Sequence, residues 1–256
     1  VAQTTKVETT GNILYVDSLG ADYTEAQING EAATRTTSSW ANPFKYLQNA
    51  INSSLAGDII FVKEGIYKPT HLRTSPETYI DGDHLNRNAT FRPKNSVDMY
   101  GGFLGLESKT WQREVDDKGF PLNPTILCGD ILNEAQIDPA KSVGDLRTDA
   151  SKENAAYNVV MAQDRISQIT YFNGFEVRNG NATGDVNLYT NTGGGINAGS
   201  QLISINSKAY SNSATNGGGW VYGTNTNCTA YSNSATNVGG GWYLGTNTNC
   251  TAYSNS

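Results

Sequence analysis

The sequence predicts an all-β solenoid, a parallel β-helix of about 22 residues per coil with an N-terminal capping helix. Three observations carry this. Residues 209–229 read AYSNSATNGGGWVYGTNTNCT and residues 230–251 read AYSNSATNVGGGWYLGTNTNCT, so the tail repeats itself. Glycine triplets recur at Gly193, Gly217 and Gly239. Each repeat is too short, and too rich in Gly, Asn, Ser and Thr, for a helical pair. Three short strands cut by three corners fill one such repeat, and stacked coils pair strand on strand at about 4.8 Å.

Residues 1–12 are polar and read as a flexible terminus, and residues 13–256 as one β-helix domain. Within it, 13–57 forms the cap, 58–180 irregular coils with long loops, and 181–256 the regular repeats. Ile13-Leu14-Tyr15-Val16 is the first strand. Asn42 as cap, Pro43 at the first helical position, and Phe44, Leu47, Ala50 and Ile51 on one face predict a helix over 43–52 that covers the first coil. Asp58-Ile59-Ile60-Phe61-Val62, Gly65-Ile66-Tyr67, residues 97–103, 125–128, 158–161 and 172–177 continue the strands. Polar insertions at 68–95, 104–124 and 131–156 separate them. The third repeat copy breaks off at Ser256, before its own glycine triplet, so the solenoid is expected to continue beyond 256.

Alternation in the regular repeats assigns sides. Cys228 and Ala230 point inward, and Thr229 and Tyr231 outward. Tyr210, Tyr231 and Tyr253 should then form an outer ladder, either a stabilising stack or a weak ligand-binding surface for sugars. Trp220 and Trp242 stack as well. Cys228 and Cys250 meet on adjacent coils, where in-register geometry favours free thiols over a disulfide.

Charge is sparse and uneven. Net charge is −6, and beyond Gly180 only Asp185 and Lys208 are charged. An acidic chain argues against nucleic acid as a partner, and no apolar stretch is long enough for a transmembrane helix. Asp81 and Asp83, in Asp81-Gly82-Asp83-His84, are the densest acidic spot and a weak metal candidate for Ca²⁺, with no other cofactor indicated. Asp116-Asp117 and the Asp145–Asp149 stretch are weaker still. His71 and His84 lack a nucleophile pattern beside them, and the glycine triplets lack the strand, helix and lysine of a phosphate cradle. No catalytic residue can be named.

Tyr15-Val16-Asp17, residues 39–51 and residues 56–67 (AGDIIFVKEGIY), followed by Met99-Tyr100-Gly101-Gly102-Phe103, residues 123–130 and Gly174–Gly180, resemble bacterial right-handed parallel β-helix proteins. The GGG…NCT…NSA units resemble polymorphic outer-membrane-protein-type repeats. The resemblance implies a secreted or cell-surface protein, exported across the outer membrane, with secretion or anchoring machinery and glycans or host-surface components as partners. It carries no catalytic motif. The function expected is an adhesin-like or glycan-contacting structural module. The alternative is a polysaccharide lyase or glycoside hydrolase with its site in loops 68–95 and 131–156.

Overall fold

The structure is a computed structural model and describes residues 11–20, 38–74, 86–132 and 152–256. Among these residues three parallel sheets wind into a β-helix. The first sheet stacks Ile13–Val16, Ile59–Lys63, Asp98–Phe103, Thr170–Asn173, Ile196–Ile205, Trp220–Thr226 and Trp242–Tyr243 in that order. The second stacks Gly65–Tyr67, Thr125–Cys128, Phe175–Arg178, Lys208–Tyr210, Thr229–Tyr231 and Thr251–Tyr253, and the third Asn181–Ala182, Ser213–Asn216 and Ser234–Val238.

Register follows the repeat. Thr229, Ala230 and Tyr231 pair with Thr251, Ala252 and Tyr253, and Trp220 pairs with Trp242. The corners use left-handed backbone at matching positions: Asn206, Asn227 and Asn249 lie at φ 49, 52 and 54, and Ser211, Ser232 and Ser254 at 54, 51 and 51. Asn tolerates this region because its short polar side chain bonds locally. The glycine triplets stack on one another through their amides, for example Gly195 on Gly218 and Gly219 on Gly240. A Cβ on Gly218 would lie 2.4 Å from the Ser234 oxygen and 2.6 Å from the Gly240 oxygen, so this stack excludes any side chain.

The inner column of the second sheet runs Tyr67, Leu127, Val177, Ala209, Ala230, Ala252. Side chains shrink along it as the coil interior fills from other walls, chiefly with Trp220, which is fully buried and stacked on Trp242 at 5.5 Å. Cys228 and Ala230 are buried, and Tyr231 points out, as alternation requires. At one corner the buried Asn212 and Asn233 and the half-buried Asn255 form an amide ladder: Asn212 Nδ2 and Asn233 Nδ2 each donate to the next Oδ1 at 3.0 Å, and all three Nδ2 groups donate to a backbone carbonyl at 2.9–3.0 Å. Each Oδ1 also accepts the amide of the preceding coil. The ladder satisfies backbone groups that a corner leaves out of the sheets.

The capping helix spans Leu47–Ser53. The expected start at Pro43 is wrong. Phe44 is extended and bridges Val16, accepting from the Asp17 amide at 2.9 Å and donating to the Tyr15 oxygen at 2.8 Å. Pairing with the open edge of the first strand outweighs the local cap signal of Asn42. The burial expected of the face holds: Phe44, Leu47, Ala50 and Ile51 all enter the core with Leu14, Val16, Ile60 and Val62.

A second apolar cluster lies outside the coil, on the outer face of the first sheet. Ile59, Phe61 and Phe103 pack there under Trp40 and Tyr100. Loop 104–124 closes over them. The Trp40 indole donates to the Glu107 oxygen, and Arg113 donates to the oxygens of Gly101 and Asn173 while lying 5.4 Å from the Tyr100 and Phe103 rings.

Candidate functional site

The outer face of the second sheet carries two columns. One runs Ile66, Ile126, Glu176, Lys208, Thr229, Thr251, and the other Cys128, Arg178, Tyr210, Tyr231, Tyr253. Strand alternation places both on the outside, because the residues between them fill the interior. The three tyrosines form the expected ladder. Tyr210 and Tyr231 stack at 4.8 Å and 9°, and Tyr231 and Tyr253 at 5.2 Å and 4°. Their ring faces therefore cover one another. What the ladder offers a ligand is a row of edges and hydroxyls.

The ladder starts from a charged cluster. Lys208 Nζ pairs with Glu176 Oε1 at 2.8 Å, the Tyr210 hydroxyl donates to Glu176 Oε2 at 3.2 Å, and Arg178 Nη1 donates to the Tyr210 oxygen at 3.4 Å. Burial, then the Glu176 charge, pushes the Tyr210 hydroxyl up to about 12. Burial followed by the neighbouring Tyr210 raises Tyr231 too. Arg178 Nε is buried without a partner. Loop 104–124 borders the cluster: the Lys118 oxygen accepts from Asn227 Nδ2 at 2.6 Å, and the Phe120 ring lies 5.3 Å from Lys208 Nζ. Phe120, Pro121, Glu176, Asn206 and Lys208 line a shallow cleft there.

Several other carboxylates among the described residues are tied to local structure. Asp17 pairs with Lys63 at 2.8 Å. Asp164 is clamped by Arg73 and the buried Arg92, and hydrogen bonds from these two outweigh its burial, so its carboxyl stays below the usual range. Glu107 accepts the amides of Leu104, Gly105 and Leu106. Asp58 accepts those of Asn12 and Leu55. Asp116 shapes its own loop through the Lys118 and Phe120 amides. Among the described residues no three His, Cys, Asp or Glu side chains come together as a metal site. Asp81, Asp83, His84, Asp145 and Asp149 lie outside the described residues. His71 is buried beside Thr70, and burial lowers it to about 4.

Loops 68–95 and 131–156 are described only in part, with 75–85 and 133–151 left out. Their described portions knit to each other and to the third sheet: Arg87 donates to the Ala155 oxygen at 2.9 Å and to the Asn181 oxygen at 2.7 Å. Among the described residues, the loop that reaches the charged cluster is 104–124. Sequence reasoning missed Glu176, Arg178 and Lys208, whose partners lie 32 residues apart. The signal available was Lys208 itself, one of two charges in the tail.

No family model matches the chain, and no curated protein matches it. Among solved structures it is similar to a rhamnogalacturonan lyase, with TM-score 0.44 and 14% sequence identity over 96% of this chain and 52% of that one. The chain thus spans about half the length of that protein. This likeness says nothing about what the present chain binds or cleaves.

Proposed function

We propose that this chain is part of an exported, surface-exposed bacterial β-helix that contacts glycans through the outer face of its second sheet, without chemistry of its own. The observation that carries the reading is the continuous strip from Glu176, Lys208 and Arg178 into the tyrosine hydroxyls. Sugars are recognised by convergent hydrogen-bond donors and acceptors beside flat apolar groups. The strip supplies the donors and acceptors, beside ring edges rather than ring faces, on a scaffold whose rise repeats every coil. Its ligand contacts are edge-on, through the hydroxyls of Tyr210 and Tyr231 and the guanidinium of Arg178. The exposed edge of Tyr253 extends the row.

A polysaccharide lyase is the second reading, favoured by the meeting of Glu176, Lys208, Arg178 and Tyr210. Proton abstraction needs a base close to the working pH. Tyr210 is pushed the wrong way, to about 12, and Lys208 is held as an ion pair on Glu176. Binding is the better use of the same groups.

A glycan array run beside a polysaccharide degradation screen tests the proposal. Wild type should retain a defined set of glycans and release no product, and Arg178→Gln should lose most of the signal. Unsaturated oligosaccharide products would transfer the site to the lyase reading, and an array without signal would sink the binding reading.

A further inference from the structure

The thiols of Cys228 and Cys250 sit at the same corner of successive coils. The Cys228 sulfur lies 3.5 Å from the Ser204 oxygen and 3.4 Å from the Thr226 oxygen. The Cys250 sulfur lies 3.5 Å from the Asn225 oxygen and 3.3 Å from the Thr248 oxygen. Ser204 pairs with Asn225, and Thr226 with Thr248, in the sheet register. The two sulfurs therefore have equivalent surroundings on successive coils, and equivalent atoms of stacked strands repeat at the strand spacing of about 4.8 Å.

In-register Cβ atoms at that spacing lie beyond the about 3.8 Å that a disulfide favours, so free thiols fit the stack better than a bridge. The spacing does fit two metal–thiolate bonds in line, at about 2.3 Å each. All three cysteines are free thiols, Cys228 fully buried and Cys250 partly exposed. Two further polar atoms at this corner are unused: Ser204 Oγ and Asn225 Oδ1 are buried without a hydrogen-bond partner. We propose that Cys228 and Cys250 form a two-coordinate site for a soft monovalent cation of the copper(I) class, built by the coil rise.

Thiolate pairs select such ions over hard ones. On binding, each S–H bond breaks, its proton goes to solvent, and its sulfur forms one bond to the metal, with no change of oxidation state. The repeat itself sets where the site begins. One coil earlier the column holds Ser207, whose hydroxyl accepts the Phe175 amide at 3.2 Å as the Cys250 sulfur accepts the Cys228 amide at 3.4 Å. Serine thus keeps the structural bond of this position and removes only the soft ligand.

The test is titration of the reduced chain with copper(I) under anaerobic conditions against a chromogenic copper(I) chelator. Wild type and Cys128→Ser should each take one equivalent from the chelator and release protons. Cys228→Ser and Cys250→Ser, checked by circular dichroism to be folded, should bind more than about 100-fold more weakly, beyond what loss of an outer partner alone costs. Equal uptake by Cys228→Ser, or no uptake by wild type, overturns the proposal. So does ready closure of a Cys228–Cys250 disulfide by oxidised glutathione, because the sulfurs would then be free to reach bonding distance.

Discussion

Replacing Asn212 with alanine tests how far the amide ladder holds the coils together. Asn212 is fully buried. Its Oδ1 accepts the Gly180 amide at 2.9 Å, and its Nδ2 donates to the Val177 oxygen and to Asn233 Oδ1, both at 3.0 Å. Asn212→Ala removes all three bonds. Asn233 Oδ1 keeps the Asn212 amide as a donor, but the buried Gly180 amide loses the acceptor recorded for it. Three lost bonds at about 1 kcal/mol each, with the added cost of an orphaned buried N–H, give a loss of about 3–5 kcal/mol. Urea unfolding followed by far-ultraviolet circular dichroism reads it, with Asn237→Ala as control. Asn237, on the exposed side of the next repeat, donates to Asn216 Oδ1 at 2.8 Å, and its loss should cost less than about 0.5 kcal/mol. Equal effects for the two substitutions, or a loss below about 1 kcal/mol for Asn212→Ala, would refute the structural role of the ladder.

Other consequences follow from packing and titration. Gly218→Ala drives a Cβ to within 2.4 Å of backbone oxygen and should destabilise by about 3 kcal/mol or more, read as a lower urea midpoint. Ala209→Leu puts a large side chain into the narrow part of the inner column and should cost about 1–3 kcal/mol by the same assay. His71 protonates near 6.5 in the unfolded chain but only near 4 when buried, so between those values the unfolded state holds the extra proton. Stability should be full above pH 6.5 and fall as the pH drops toward 4, by up to about 3 kcal/mol. His71→Gln should flatten that dependence, and an unchanged slope would contradict it.

The regular coils were legible because their repeat is literal. Equal spacing of Cys228 and Cys250, and of Tyr231 and Tyr253, fixes register, and alternation fixes which of them face inward. The capping helix was legible in its apolar face and not in its first residues, where Phe44 pairs with the first strand. A one-residue-at-a-time signal such as Asn42-Pro43 cannot report an edge that becomes available only when the coil closes. The charged cluster was hidden for the same reason. Glu176 meets Lys208, and Arg178 meets Tyr210, only through strand register across two coils, and Phe120 arrives from a loop more than fifty residues upstream. The amide ladder was written in the repeat as Ser-Asn-Ser, but whether that asparagine faced in or out depended on the left-handed corner at Ser211 and Ser232.

Hydrogen exchange on the chain with and without a glycan retained on the array tests the central claim most directly. The account predicts added protection across 175–178, 208–210 and 229–231 and along 118–121, with the third sheet unchanged. Protection confined to the third sheet or to the capping helix, with the tyrosine strands unaffected, would contradict it.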